Sequence, residues 1–145
     1  MKELEKLNSH LWSRLAELQK LKEDGHKIVG HSVGNYMPEE LVLACDAVPV
    51  GLIRSGDHTM VERAGAYINR WFDTFIRSQI GLALSGEDPY YKVLDLLVMP
   101  NTDNHIRAMT DVFCVHTDMD IFPYGVPHKK DQSDRERERI WRWSR

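Results

Sequence analysis

Lys92-Val93-Leu94-Asp95-Leu96-Leu97-Val98-Met99-Pro100-Asn101-Thr102-Asp103-Asn104-His105-Ile106-Arg107 decides the fold. The apolar run Leu94–Met99 reads as a buried strand, and Pro100 is expected to end it, because a residue without an N–H cannot continue a ladder. Asn101, Thr102, Asp103 and Asn104 follow where a helix must begin with unpartnered N–H groups. A helix over Asn104–His116 carries Ile106, Met109, Val112 and Phe113 at helical spacing. A strand running through a polar turn into a helix is half of a βαβ unit, and in open α/β sheets ligands gather at the carboxyl ends of strands.

Working outward, the same alternation recurs. Residues 2–23 read as a long first helix with Leu4, Leu7, Leu11, Leu15, Leu18 and Leu21 as one stripe, stopped by Asp24-Gly25. Lys27–Val33 is a short strand broken by Gly34-Asn35. Pro38-Glu39-Glu40 opens a second helix whose buried face is expected from Leu41, Val42, Ala44 and Cys45. Ala47–Ile53 returns as a strand in which Pro49 suggests an edge. Met60–Ala83 is helical in two pieces, the second made apolar by Trp71, Phe72, Phe75, Ile76 and Ile80, and Ser85–Pro89 is a break. Met119–Tyr124 is a fourth strand, and residues 131–145 form a charged final helix with Trp141 and Trp143. The whole, residues 1–145, reads as a single three-layer α/β lobe with a mainly parallel four-stranded sheet, flanked by a helix over 1–25 and another over 131–145.

Composition narrows the function. The chain has 145 residues, 42% of them hydrophobic, enough for one domain with its own core. A net charge of −3 with mixed signs argues against nucleic acid and anionic lipid as partners. Two cysteines without a Cys-x-x-Cys spacing fit a reducing compartment. Without an apolar run of membrane length or a signal-like N-terminus, a cytoplasmic location is expected. The Leu4–Leu21 stripe with Trp141 and Trp143 offers more apolar surface than one lobe covers, so an oligomer is expected.

Parallel strands bring Ser32, Gly34 and Asn35, Arg54 and Ser55, Asn101, Thr102 and Asp103, and Gly125 and His128 to one rim. Ser32 and Asn35, with Arg77, are the candidate catalytic residues. Gly-x-Gly-x-x-Gly and Gly-x-x-x-x-Gly-Lys are both absent, which disfavours dinucleotides and nucleoside triphosphates. Asp103 and His105 are candidate metal ligands, with His128 a third donor, since imidazole and carboxylate suit zinc or iron. The plain alternative is that Asp103 caps a helix and Asp73 is a solvated helix residue.

Tyr36-Met37-Pro38-Glu39-Glu40-Leu41-Val42-Leu43-Ala44-Cys45-Asp46-Ala47-Val48-Pro49-Val50 resembles the P-E-E-L-x-x-A-x-G-x-x-P segment of the 2-hydroxyacyl-CoA dehydratase and benzoyl-CoA reductase family. Phe75–Gly81, Val98–His105 and Gly125-Val126-Pro127 fall in the order of its later signatures, so the resemblance runs from Lys27 to His128. It implies a Rossmann-like lobe, the N-terminal one of a subunit acting on an acyl-CoA thioester by radical dehydration or reduction. It further implies a related dehydratase-family subunit and an ATP-dependent activator as partners, and a four-iron four-sulfur cluster on cysteines.

The sequence departs at that cluster. The resemblance places its first ligand four residues before Arg77-Ser78, at Asp73, and its second within Thr102-Asp103-Asn104, at Asp103. Asp73, Asp103 and Asn104 are therefore the residues at the cofactor position, with aspartates where soft iron asks for thiolates. Three readings follow. The chain is a dehydratase-like subunit or lobe with its cluster cysteines replaced, a non-catalytic scaffold that has lost the cluster, or a small enzyme with a carboxylate–histidine metal site. Asp73 and Asp103 are expected to face one shared cavity near the carboxyl ends of the strands, where one carboxyl should have a raised pKa unless Arg77, Arg107 or a metal neutralises the pair.

Overall fold

The computed structural model describes residues 2–32 and 36–126. Four strands, β1 (Lys27–His31), β2 (Ala47–Gly51), β3 (Leu96–Asn101) and β4 (Ile121–Gly125), form one sheet in the order β2-β1-β3-β4, and every pairing is parallel. The chain leaves β1 for the β2 edge, then crosses back to β3. The order therefore reverses between β1 and β3, which is where open α/β sheets leave a crevice at their carboxyl ends.

Alternation along the strands sorts the core into two faces. Ile28, Val50, Leu97 and Met99 face α1 (Lys2–Glu23), α4 (Thr74–Ser85), α5 (Pro89–Val93) and α6 (Asn104–His116). Met60 of α3 (His58–Arg63) and Ala64 of the 3₁₀ turn Ala64–Ala66 join the same core. On the other face Val29, Ala47 and Val98 pack with Val42 of α2 (Glu39–Ala44). The result is the expected three-layer α/β lobe around a parallel sheet.

Two devices set the helices at close quarters. A Cβ at Gly81 of α4 would lie 2.1 Å from the carbonyl oxygen of Met60, so only glycine lets α3 and α4 meet there. Asp95, just before β3, accepts from Ile28 N at 2.9 Å and sits 3.3 Å from Lys27 Nζ and 3.5 Å from Lys22 Nζ, tying α1, β1 and β3 together.

Several expectations need correction. β3 starts at Leu96 and includes Pro100 and Asn101, which pair with Tyr124 and Gly125. Leu97 N bonds Asp120 O on the β4 side, so alternation turns the nitrogen of residue 100 toward β1. Pairing with β1 ends at His31 and Val98, so no N–H is required there and proline is tolerated.

In α2 only Val42 is buried; Leu41, Ala44 and Cys45 are exposed, because a helix of this length turns one side chain onto the sheet. Trp71 precedes α4 and is 80% exposed, since Asp73 starts the helix after it. β2 stops at Gly51. Leu18 of the α1 stripe is fully buried and Leu15 and Leu21 pack beside it, but Leu4 and Leu7 are exposed. The Leu11 side chain, Gly34, Asn35, His128, Trp141, Trp143 and the final helix lie outside the described residues.

Candidate functional site

Two helices begin side by side at the carboxyl edge of the sheet. Asp73 caps α4, its Oδ1 accepting from Phe75 N at 2.7 Å. Asp103 caps α6, its Oδ1 accepting from His105 N at 2.7 Å and Ile106 N at 3.1 Å. Its Oδ2 accepts from Thr102 Oγ1 at 3.0 Å. Both side chains do what a short acceptor does at the positive end of a helix.

His105 joins the two caps. Asp73 N donates to His105 Nδ1 at 3.0 Å, across the gap between α4 and α6. Nδ1 is therefore the acceptor nitrogen of a neutral ring, and Nε2 carries the proton. Phe72 meets the same ring edge to face, with centroids 5.3 Å apart. Burial pushes the Asp103 carboxyl up, but the bonds from Ile106 N, Thr102 Oγ1 and His105 N outweigh it and leave its pKa lowered.

The remaining candidates sit apart in role. Arg77 is buried in α4, one turn past Asp73, with Nη2 donating to Val61 O at 2.9 Å and lying 3.9 Å from Glu62 Oε1. Nη2 thus holds the end of α3, while Arg77 Nε is buried without a partner among the described residues. Ser32 leaves β1 at the switch point, 4% exposed, and its hydroxyl has no hydrogen-bond partner among the described residues. Asn104 is the exposed first residue of α6.

Sequence reasoning missed two things. One is the Asp73–His105 bond, whose only signal was a histidine two residues beyond the Asp103 cap. The other is an open cavity of about 680 Å³ between α1, the end of β2 and α5, floored by Arg54, Asp88, Gln79 and Tyr91. Asp88 read simply as part of a break.

The family described as 2-hydroxyglutaryl-CoA dehydratase, D-component, matches residues 35–142. The chain belongs to that family. It is also 26% identical over 114 residues to the (R)-phenyllactyl-CoA dehydratase beta subunit of Clostridium sporogenes, an alignment covering 78% of this chain and 29% of that protein. The chain thus spans less than a third of the length of this relative.

The four-iron four-sulfur cluster that the resemblance implies does not fit the donors at this rim. At Asp103 both carboxylate oxygens are engaged, Asp73 spends one on its own helix, and His105 Nδ1 accepts from a backbone N–H. Thiolates are the ligands soft iron requires, and the chain's Cys45 and Cys114 are exposed on α2's end and on α6. Among the described residues no three histidine, cysteine, aspartate or glutamate side chains converge as a metal site.

Proposed function

We propose that this dehydratase-family chain is a lobe that acts on an acyl-CoA thioester next to a related, cluster-bearing subunit, and that it holds no cluster of its own. One observation carries the reading: Asp73 and Asp103, which stand where the resemblance puts the cluster cysteines, are caps of two helices locked together through His105. The carboxylates maintain the shape of the rim that thiolates would otherwise build around iron. Radical dehydration or reduction, and the ATP-dependent activator that would feed it, are then properties of the partnered assembly.

Within this reading the lobe contributes a wall to the thioester site. Ser32 follows β1 and the α6 cap follows β3, at the carboxyl ends of neighbouring strands. Ser32 Oγ is buried without a partner among the described residues, and such a hydroxyl gains from a carbonyl acceptor. It is assigned here as donor to the acyl carbonyl. His105 Nε2–H is a second donor at the rim. Arg77 serves as a positioning residue that holds α4 on α3.

The test is reconstitution without oxygen, using the chain, a cluster-bearing family subunit and its activator, with (R)-phenyllactyl-CoA and 2-hydroxyglutaryl-CoA as substrates. Turnover should require the chain. Ser32→Ala should lower kcat/KM roughly tenfold, about 1.4 kcal/mol of transition-state binding, with the fold unchanged by circular dichroism. Full turnover by partner and activator without the chain would overturn the proposal.

A further inference from the structure

The cavity beside α1 is built from residues that the thioester reading does not use. Its walls are apolar, with Trp12 and Leu15 of α1, Ile53 beyond β2, and Pro89 at the start of α5. Its volume of about 680 Å³ lies in the range of small-molecule sites. Two opposite charges meet in it, Arg54 Nη1 and Asp88 Oδ2, 3.8 Å apart.

That separation is too long for a hydrogen bond. The Asp88 side chain is 4% exposed and that of Arg54 is 56% exposed. Asp88 Oδ1 accepts from Tyr90 N at 3.0 Å, while Oδ2 faces Arg54 Nη1 across the 3.8 Å gap. A desolvated carboxylate oxygen in that state is served by a donor, best a charged one. Arg54, reaching from the floor toward solvent, has guanidinium donors to spare. The floor beneath is fixed, because Gln79 Nε2 donates to Arg54 O while Gln79 Oε1 accepts from Tyr91 Oη.

Charge balance selects among ligands. An anion alone would draw Arg54 away and leave Asp88 buried without a counter-charge. A cation alone would compete with Arg54 for the same oxygen. A zwitterion gives Asp88 an ammonium and Arg54 a carboxylate, and the site stays neutral. The apolar walls then receive the remainder of the molecule. We infer that this cavity is a binding site for a free α-amino acid with a large apolar side chain.

Calorimetric titration of the full chain tests this with L-phenylalanine, hydrocinnamate, which lacks the ammonium, and phenethylamine, which lacks the carboxylate. L-phenylalanine should bind saturably, and each truncated analogue at least roughly tenfold more weakly. Arg54→Gln should weaken L-phenylalanine and, by removing the competing cation, strengthen phenethylamine. Asp88→Asn, which keeps an acceptor for Tyr90 N, should weaken L-phenylalanine and, by freeing Arg54, strengthen hydrocinnamate. If either variant fails to fold, the three ligands on the unaltered chain still decide. No saturable binding of L-phenylalanine, or equal binding by either analogue, overturns the inference. It stands or falls independently of the thioester reading, since neither Asp73, Asp103 nor Ser32 takes part.

Discussion

Asp103 shows how much one short side chain does at the rim. It holds two N–H groups at the start of α6 and accepts from Thr102, so Asp103→Ala should cost about 1 kcal/mol in urea unfolding and Asp103→Asn much less. His105→Ala leaves Asp73 N without its acceptor and should cost about 1 kcal/mol as well. Acid should act through Asp103 and Asp95, whose folded-state pKa values are both lowered. In each, burial pushes upward, but hydrogen bonds outweigh it, with Lys27 and Lys22 helping at Asp95. Between the unfolded value of about 4 and the lower folded value, the unfolded chain binds more protons, so stability rises with pH. Their contribution is complete above about pH 4 and is lost as pH falls through the folded values. Urea midpoints measured across that window should fall with acid, and Asp95→Asn should flatten the fall.

At the scale of elements, the strands and long helices were legible because their apolar residues repeat at the period of the structure they form. α6 carries Ile106, Met109 and Phe113 on one buried face, and the sequence bounds it at Asn104 and His116 as the structure does. The end of β3 was not legible. Whether Pro100 breaks a strand depends on which neighbour its nitrogen faces, and that is set by where β1 stops. α5 was hidden by its length, one turn after the Asp88-Pro89 break, and its Asp88 cap doubles as a buried charge. The α3–α4 contact hangs on Gly81. Gly81→Ala forces a Cβ against the Met60 carbonyl and should cost about 3 kcal/mol in thermal or urea unfolding, with the helices displaced.

At the scale of the molecule, the chain belongs to a family of dehydratase components, and its α1 is covered along only part of its length. Leu15, Leu18 and Leu21 pack on the sheet, but Leu4, Leu7 and Trp12 remain exposed on the first half of the helix. The oligomer expected from the leucine stripe would bury Leu4 and Leu7, with the cluster-bearing subunit of the proposed function as the partner. The double variant Leu4→Ser, Leu7→Ser should weaken co-sedimentation with that subunit and leave the melting temperature within a degree or two, since neither side chain is in the core. Among the described residues no helix is long and apolar enough to cross a membrane, so α1 is not read as a span. The fold was legible down to its sheet, but the site only in part. Asp73 and Asp103 were singled out by their place beside family signatures, whereas their joining through His105 required two helices distant in sequence to be set side by side. The central claim is that this rim has exchanged a cluster for a pair of helix caps. Iron and acid-labile sulfide, measured on the chain purified without oxygen, test it most directly. The account predicts only trace iron and sulfide per chain, whereas about four of each, with thiolate-to-iron charge-transfer absorption, would contradict it.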